Sequence, residues 1–97
     1  MIYHITTVAD WRKALETGVY TALSLDLEGF IHCSTESQIE GVLSRYFSGQ
    51  KELVKLVIDE DLLDSDLQYD YVKEQDETFP HIYGPININA IVDAIML

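Results

Sequence analysis

Between Leu53 and Ile58 the chain places Leu, Val, Leu, Val and Ile at five of six positions, with only Lys55 interrupting. A run of this kind reads as a strand covered on both faces, so other elements must supply that cover. The 97 residues are 47% hydrophobic, which suffices for one core and leaves no room for a linker and a second domain. A single domain over residues 1–97 is expected.

The remaining elements follow from local signals. Ile2 to Thr6 carries Ile, Tyr and Thr, which suit a pleated strand. Thr7 reads as a helix N-cap, with Val8, Trp11, Ala14 and Leu15 as an apolar stripe and Gly18 as the stop. The segment 19–28 gives mixed signals and reads as a loop with a short extended piece. Gly29 precedes a strand over Phe30 to Ser34, and Thr35 and Gln38 have the spacing of a capping box. A helix from Glu36 to about Phe47 follows, with Ile39, Val42, Leu43, Tyr46 and Phe47 at core spacing. Asp59 to Asp66 is an acidic connection, Leu67 to Val72 alternates as a strand, and Ile86 to Ile95 reads as a final strand with a helix competing. The order β-α-β-α-β-β-β predicts an α+β domain of compact, mixed but mostly antiparallel sheets with two helices.

Charge narrows the partners. Seventeen acids against six bases give a net charge of −11, and the bases are scattered, so no nucleic-acid footprint is present. An anion would have to be held by local groups against a repelling field. The single cysteine, Cys33, fits a reducing compartment, and the N-terminal residues MIYHITT have no basic leader. No apolar run reaches the roughly 18 residues of a bilayer span. A cytoplasmic location is the expectation.

All three histidines sit two residues from a hydroxyl: His4 with Thr6, His32 with Ser34, His81 with Tyr83. Alternation along a strand puts each pair on one face. Any one alone reads as a half-buried histidine satisfied by a carbonyl or hydroxyl; three together point to a shared site. His32 and Ser34 are expected to face a cleft with His4, while Ile31 and Cys33 turn to the core. Pro80 and Pro85 bound Phe79-Pro80-His81-Ile82-Tyr83-Gly84-Pro85, which reads as a rigid loop presenting His81 and Tyr83. Cys33 beside His32 points to the opposite face, which argues against a thiol–imidazole dyad. The three histidines lack the short spacings of a zinc site, so no metal is expected, and the acids of residues 59–66 lack the spacing of a calcium loop.

Three stretches carry a resemblance: Tyr3-His4-Ile5-Thr6, Gly29-Phe30-Ile31-His32-Cys33-Ser34-Thr35 and Phe79-Pro80-His81-Ile82-Tyr83-Gly84-Pro85. Through them the chain resembles the DUF952 family of small uncharacterised bacterial proteins over essentially its whole length. That family is remotely similar to the ADP-ribosyltransferase-like fold, a split sandwich of two short antiparallel sheets with a cleft for NAD, and to RNA 2′-phosphotransferases. The resemblance implies an enzyme acting on NAD or a related nucleotide, as a transferase or a glycohydrolase. His4 and Thr6 would contact a ribose, with His81 and Tyr83 completing the ligand-binding set. His32, Ser34 and Asp70 would serve catalysis, Asp70 standing where relatives are expected to carry Glu. The alternatives are a binding module that holds a small nucleotide-like ligand without turnover, and a metal-binding or partner-docking protein.

Overall fold

The computed structural model describes residues 1–97. In chain order it contains β1 (Ile2–Thr7), α1 (Val8–Thr17), β2 (Val19–Tyr20), α2 (Leu23–Glu28) and β3 (Ile31–His32). After a 3-10 turn at Glu36–Gln38 come α3 (Ile39–Tyr46), β4 (Leu53–Ile58), β5 (Asp66–Val72), β6 (Glu77–Tyr83), β7 (Ile86–Asn87) and β8 (Ile91–Met96). The fold is α+β. Three small sheets, with strand orders β1-β4-β8, β2-β7 and β3-β6-β5, are antiparallel at every pairing. No helix is long and apolar enough to cross a membrane.

The apolar run is the middle strand of its sheet. Leu53, Val54, Leu56 and Ile58 are buried between β1 and β8. Leu56 and Ile58 join Ile86 of the second sheet and Ile31 and Ile82 of the third in one core cluster, so the three sheets share a core. Full burial of each such side chain contributes about 1.5–3 kcal/mol against exposure.

Local signals hold at both longer helices. The Thr7 side chain accepts the Asp10 N–H at 3.1 Å, and Gly18, at φ 87°, ends α1 in the left-handed region that favours glycine. Ala14 and Trp11 face the core, whereas Leu15 is exposed, one step off the stripe expected of it. The Thr35–Gln38 capping box forms, and Gln38 then reaches across to the Thr78 carbonyl at 2.9 Å. Ile39 packs on Ile5 and Leu53, with Val42, Leu43 and Phe47 alongside; Tyr46, expected in the core, is exposed.

Three expectations are corrected. Of residues 19–28, the short extended piece is β2, which pairs with β7 through Tyr20 and Ile86, both buried, but the expected loop is instead a third helix, α2. Leu23, Leu25 and Leu27 alternate with polar residues, which is a strand's period, and α2 buries no residue, so its helical stripe is absent from the sequence. The proline-bounded stretch is largely strand β6. Pro80 sits inside that middle strand, where a missing N–H is normally unfavourable. Its carbonyl accepts from the Cys33 N–H at 3.0 Å, so the absent donor points the same way, past the end of β3. Finally, residues 86–95 are two strands separated by a 3-10 turn, Ile88–Ala90. Asn87 makes the break: its amide donates to the Leu62 carbonyl at 2.8 Å and accepts from the Asp64 N–H at 2.9 Å, which diverts the chain onto the 59–66 connection.

Candidate functional site

The first and third sheets meet at a single bridge. Tyr3 and Ser34 exchange backbone hydrogen bonds of 2.9 and 2.7 Å, which brings β1 alongside the end of β3. Beside this junction lies a cleft of about 420 Å³, within the range of small-molecule sites. Its polar wall holds His4, His32, Ser34 and His81, with Glu28 and Ser24 from α2. Val42, Tyr46, Phe47, Val72 and Phe79 supply an apolar wall. All three histidines are thus brought to one cleft.

Their states differ. His4 Nδ1 donates to the His32 carbonyl at 2.5 Å, and Nε2 lies 2.8 Å from the Tyr20 hydroxyl, itself 2.9 Å from Thr6 Oγ1. Because a carbonyl only accepts, Nδ1 carries the proton. Burial lowers the His4 pKa to about 4, against the supporting hydrogen bond, so the ring is neutral at physiological pH. Burial likewise pushes the Tyr20 phenol up to about 12. Both His4 nitrogens are therefore occupied within the protein, and its role is to fix the backbone of His32. Thr6 is buried behind Tyr20 and does not line the cleft.

His81 is held from behind. In the β5–β6 register it faces Gln68, and Asp70, two residues on, shares its face. The His81 Nδ1–H donates to Asp70 Oδ2 at 2.8 Å, and the Tyr83 hydroxyl donates to the same oxygen. The Tyr83 hydrogen bond first, and that of His81 second, hold the Asp70 carboxyl below its ordinary range, while the Asp70 contact raises the Tyr83 phenol. Phe30 stacks on the His81 ring at 4.1 Å. The remaining nitrogen, His81 Nε2, is buried and has no hydrogen-bond partner. Asp70 and Tyr83 do not line the cleft; they act on it through His81.

His32 completes the wall. Its ring meets His81 edge to face at 5.3 Å, and its Nε2 lies 2.6 Å from Glu28 Oε2, with both side chains about half exposed. Ile31 and Cys33 belong to the core cluster, as alternation requires, and burial pushes the Cys33 thiol up, which disfavours a thiolate. No group of three or more His, Cys, Asp or Glu side chains converges as metal ligands would. Sequence reasoning missed Tyr20 and Glu28: a two-residue strand has no period, and although Glu28 and His32 are four residues apart, Gly29 ends α2 between them, so no helix joins them.

These features define a small α+β domain built around one histidine-lined cleft. The chain belongs to the DUF952 family, described as a protein family of unknown function, whose sequence model spans residues 5–94. It is similar to protein CC0527 from Caulobacter crescentus. The crystal structure of that protein matches at 29% identity with a TM-score of 0.87, covering 96% of this chain and 82% of the other. The solution NMR structure of CC0527 matches at 29% identity with a TM-score of 0.85, covering 99% and 83%. No curated protein matches the chain.

Proposed function

We propose that the cleft binds the nucleoside end of a nucleotide such as NAD and that the protein is an ADP-ribosyltransferase-like transferase or glycohydrolase. One observation carries this reading: His81 lines the cleft and keeps a buried Nε2 without a hydrogen-bond partner, while Asp70 secures its other nitrogen. Leaving a buried polar atom unpaired costs about 1–3 kcal/mol, so such an atom is suited to a ligand. Buried charge partners in a cleft are also where acid–base groups are found.

The site suits one half of such a nucleotide. The cleft's volume and mixed walls accept a heteroaromatic ring and a ribose, whereas no Lys or Arg lines it to hold a pyrophosphate, which would lie outside in solvent. NAD bound there would supply a glycosidic bond whose loss of nicotinamide passes through an oxocarbenium-like transition state. His32 and Ser34 would hold ribose hydroxyls on one wall. An acceptor hydroxyl or water adds at the anomeric carbon, the C–N bond breaks with its electron pair leaving on neutral nicotinamide, and His81 Nε2 takes the acceptor's proton. In the neutral ring the Asp70 carboxylate, an acceptor only, keeps the proton on Nδ1 and so leaves Nε2 basic. Positioning of this kind supplies much of the effect expected at such a centre.

A second reading, a binding module without turnover, is favoured by the seat of Asp70 behind His81, away from the cleft wall. Calorimetric titration with NAD, paired with an assay for nicotinamide release, separates the two. Saturable binding lost in His81→Gln and His32→Ala, with nicotinamide released, supports the enzyme; binding without release leaves the module. Absence of heat at millimolar NAD would sink the nucleotide reading.

A further inference from the structure

The charge pattern of the cleft names a ligand class more narrowly. Of its lining side chains only Glu28 is a full-charge acid, and none of Arg12, Lys13, Arg45, Lys51, Lys55 and Lys73 lines it. Glu28 Oε2 is engaged by His32, while no protein group hydrogen-bonds Oε1. His4 is neutral and cannot offset that carboxylate.

The lining also includes the aromatic residues Tyr46, Phe47 and Phe79. Aromatic faces attract cations, and Tyr46 already does so: the Arg45 guanidinium lies 5.7 Å from its ring centroid, outside the cleft wall. At longer range the net charge of −11 concentrates cations and repels anions. Beyond the His32 contact, no Lys or Arg in the lining offsets Glu28, which acts against phosphate-bearing ligands as a built-in repulsion.

We infer that the cleft selects a cationic heteroaromatic ribonucleoside free of phosphate, with the ring between the aromatic wall and Glu28. This rests on the nucleoside reading above and sharpens it: the pyridinium riboside itself is favoured over its phosphorylated forms. Glu28 is the residue that discriminates, and His81 serves any nucleoside alike.

The test is calorimetric titration of nicotinamide riboside and of its 5′-phosphate into the wild-type protein, Glu28→Gln and His81→Gln. Glu28 is half exposed, and glutamine keeps an acceptor for His32, so that variant is expected to keep the fold. The wild type is expected to bind the riboside at least about tenfold tighter than the phosphate, and Glu28→Gln to narrow the gap to about threefold or less. His81→Gln should weaken both ligands equally. Equal binding of the two by the wild type overturns the charge selection and leaves the nucleoside site standing. A full gap in Glu28→Gln overturns the assignment to Glu28. If neither ligand binds at millimolar concentration, both the selection and the site are overturned.

Discussion

The Asp70 carboxylate accepts from His81 Nδ1 at 2.8 Å, and this contact decides which nitrogen of His81 is left without a partner. A carboxylate cannot donate, so the neutral ring is fixed with its proton on Nδ1. Asp70→Asn replaces it with an amide that can donate as well as accept, which frees the ring to adopt the other tautomer. Long-range proton–nitrogen NMR correlations should show the Nδ1–H form of His81 in the wild type and a mixed or reversed pattern in Asp70→Asn. Unchanged His81 nitrogen shifts in the variant would refute a positioning role for Asp70.

His4 makes stability depend on pH. Its pKa is about 4 in the folded protein and near the ordinary 6.5 in the unfolded chain. Between those values only the unfolded state binds the proton, so this contribution is complete above pH 6.5, falls as pH drops through the window and is gone near pH 4. The separation is worth about 3 kcal/mol. Urea unfolding at pH 7 and pH 4.5 should show the loss in the wild type and a shallower one in His4→Gln. Identical pH slopes for the two proteins would contradict it.

Tyr20 is the hinge of the His4 network. Tyr20→Phe removes the hydroxyl shared by His4 Nε2 and Thr6 Oγ1, leaving two buried polar atoms without that partner. The expected loss is about 1–3 kcal/mol in unfolding free energy. Thr6→Val should cost less, because the Tyr20 hydroxyl keeps His4. A loss below about 0.5 kcal/mol for Tyr20→Phe would mean that the network adds little net hydrogen-bond energy.

Cys33 tests the assignment of its face. The thiol is buried in the core and its ionisation is disfavoured, so Ellman's reagent at pH 8 should label the folded protein only as fast as it opens and the urea-unfolded protein at once. Labelling of the folded protein at the unfolded rate would place the thiol on the surface instead.

Much of this protein was legible before its structure. Thr7, Gly18 and the Thr35–Gln38 box act over three or four residues, so their geometry is written in adjacent positions. The alternation of Ile31, His32, Cys33 and Ser34 put Ile31 in the core and His32 and Ser34 on the cleft because a strand's pleat is fixed by the backbone alone, while Cys33, buried in the core, also borders the cleft. The apolar run of β4 announced a buried strand: Val54, Leu56 and Ile58 are buried on one face, and Leu53 alone on the other.

The remainder depended on distance in space. Glu28 reaches His32 across a helix stop, Tyr20 reaches His4 from a strand two residues long, and Pro80 is admitted to a strand interior only because β3 ends beside it. Asp70 could be placed on a strand face from the sequence, but its partner could not, since the β5–β6 register decides whether its carboxylate meets the histidine. The sequence by itself determined the strand faces around the histidines and the capping of the two longer helices, because these follow from local periodicity and capping. Tertiary structure alone decided which histidine nitrogen stays free, because burial and hydrogen-bond pairing are set by residues far apart in the chain.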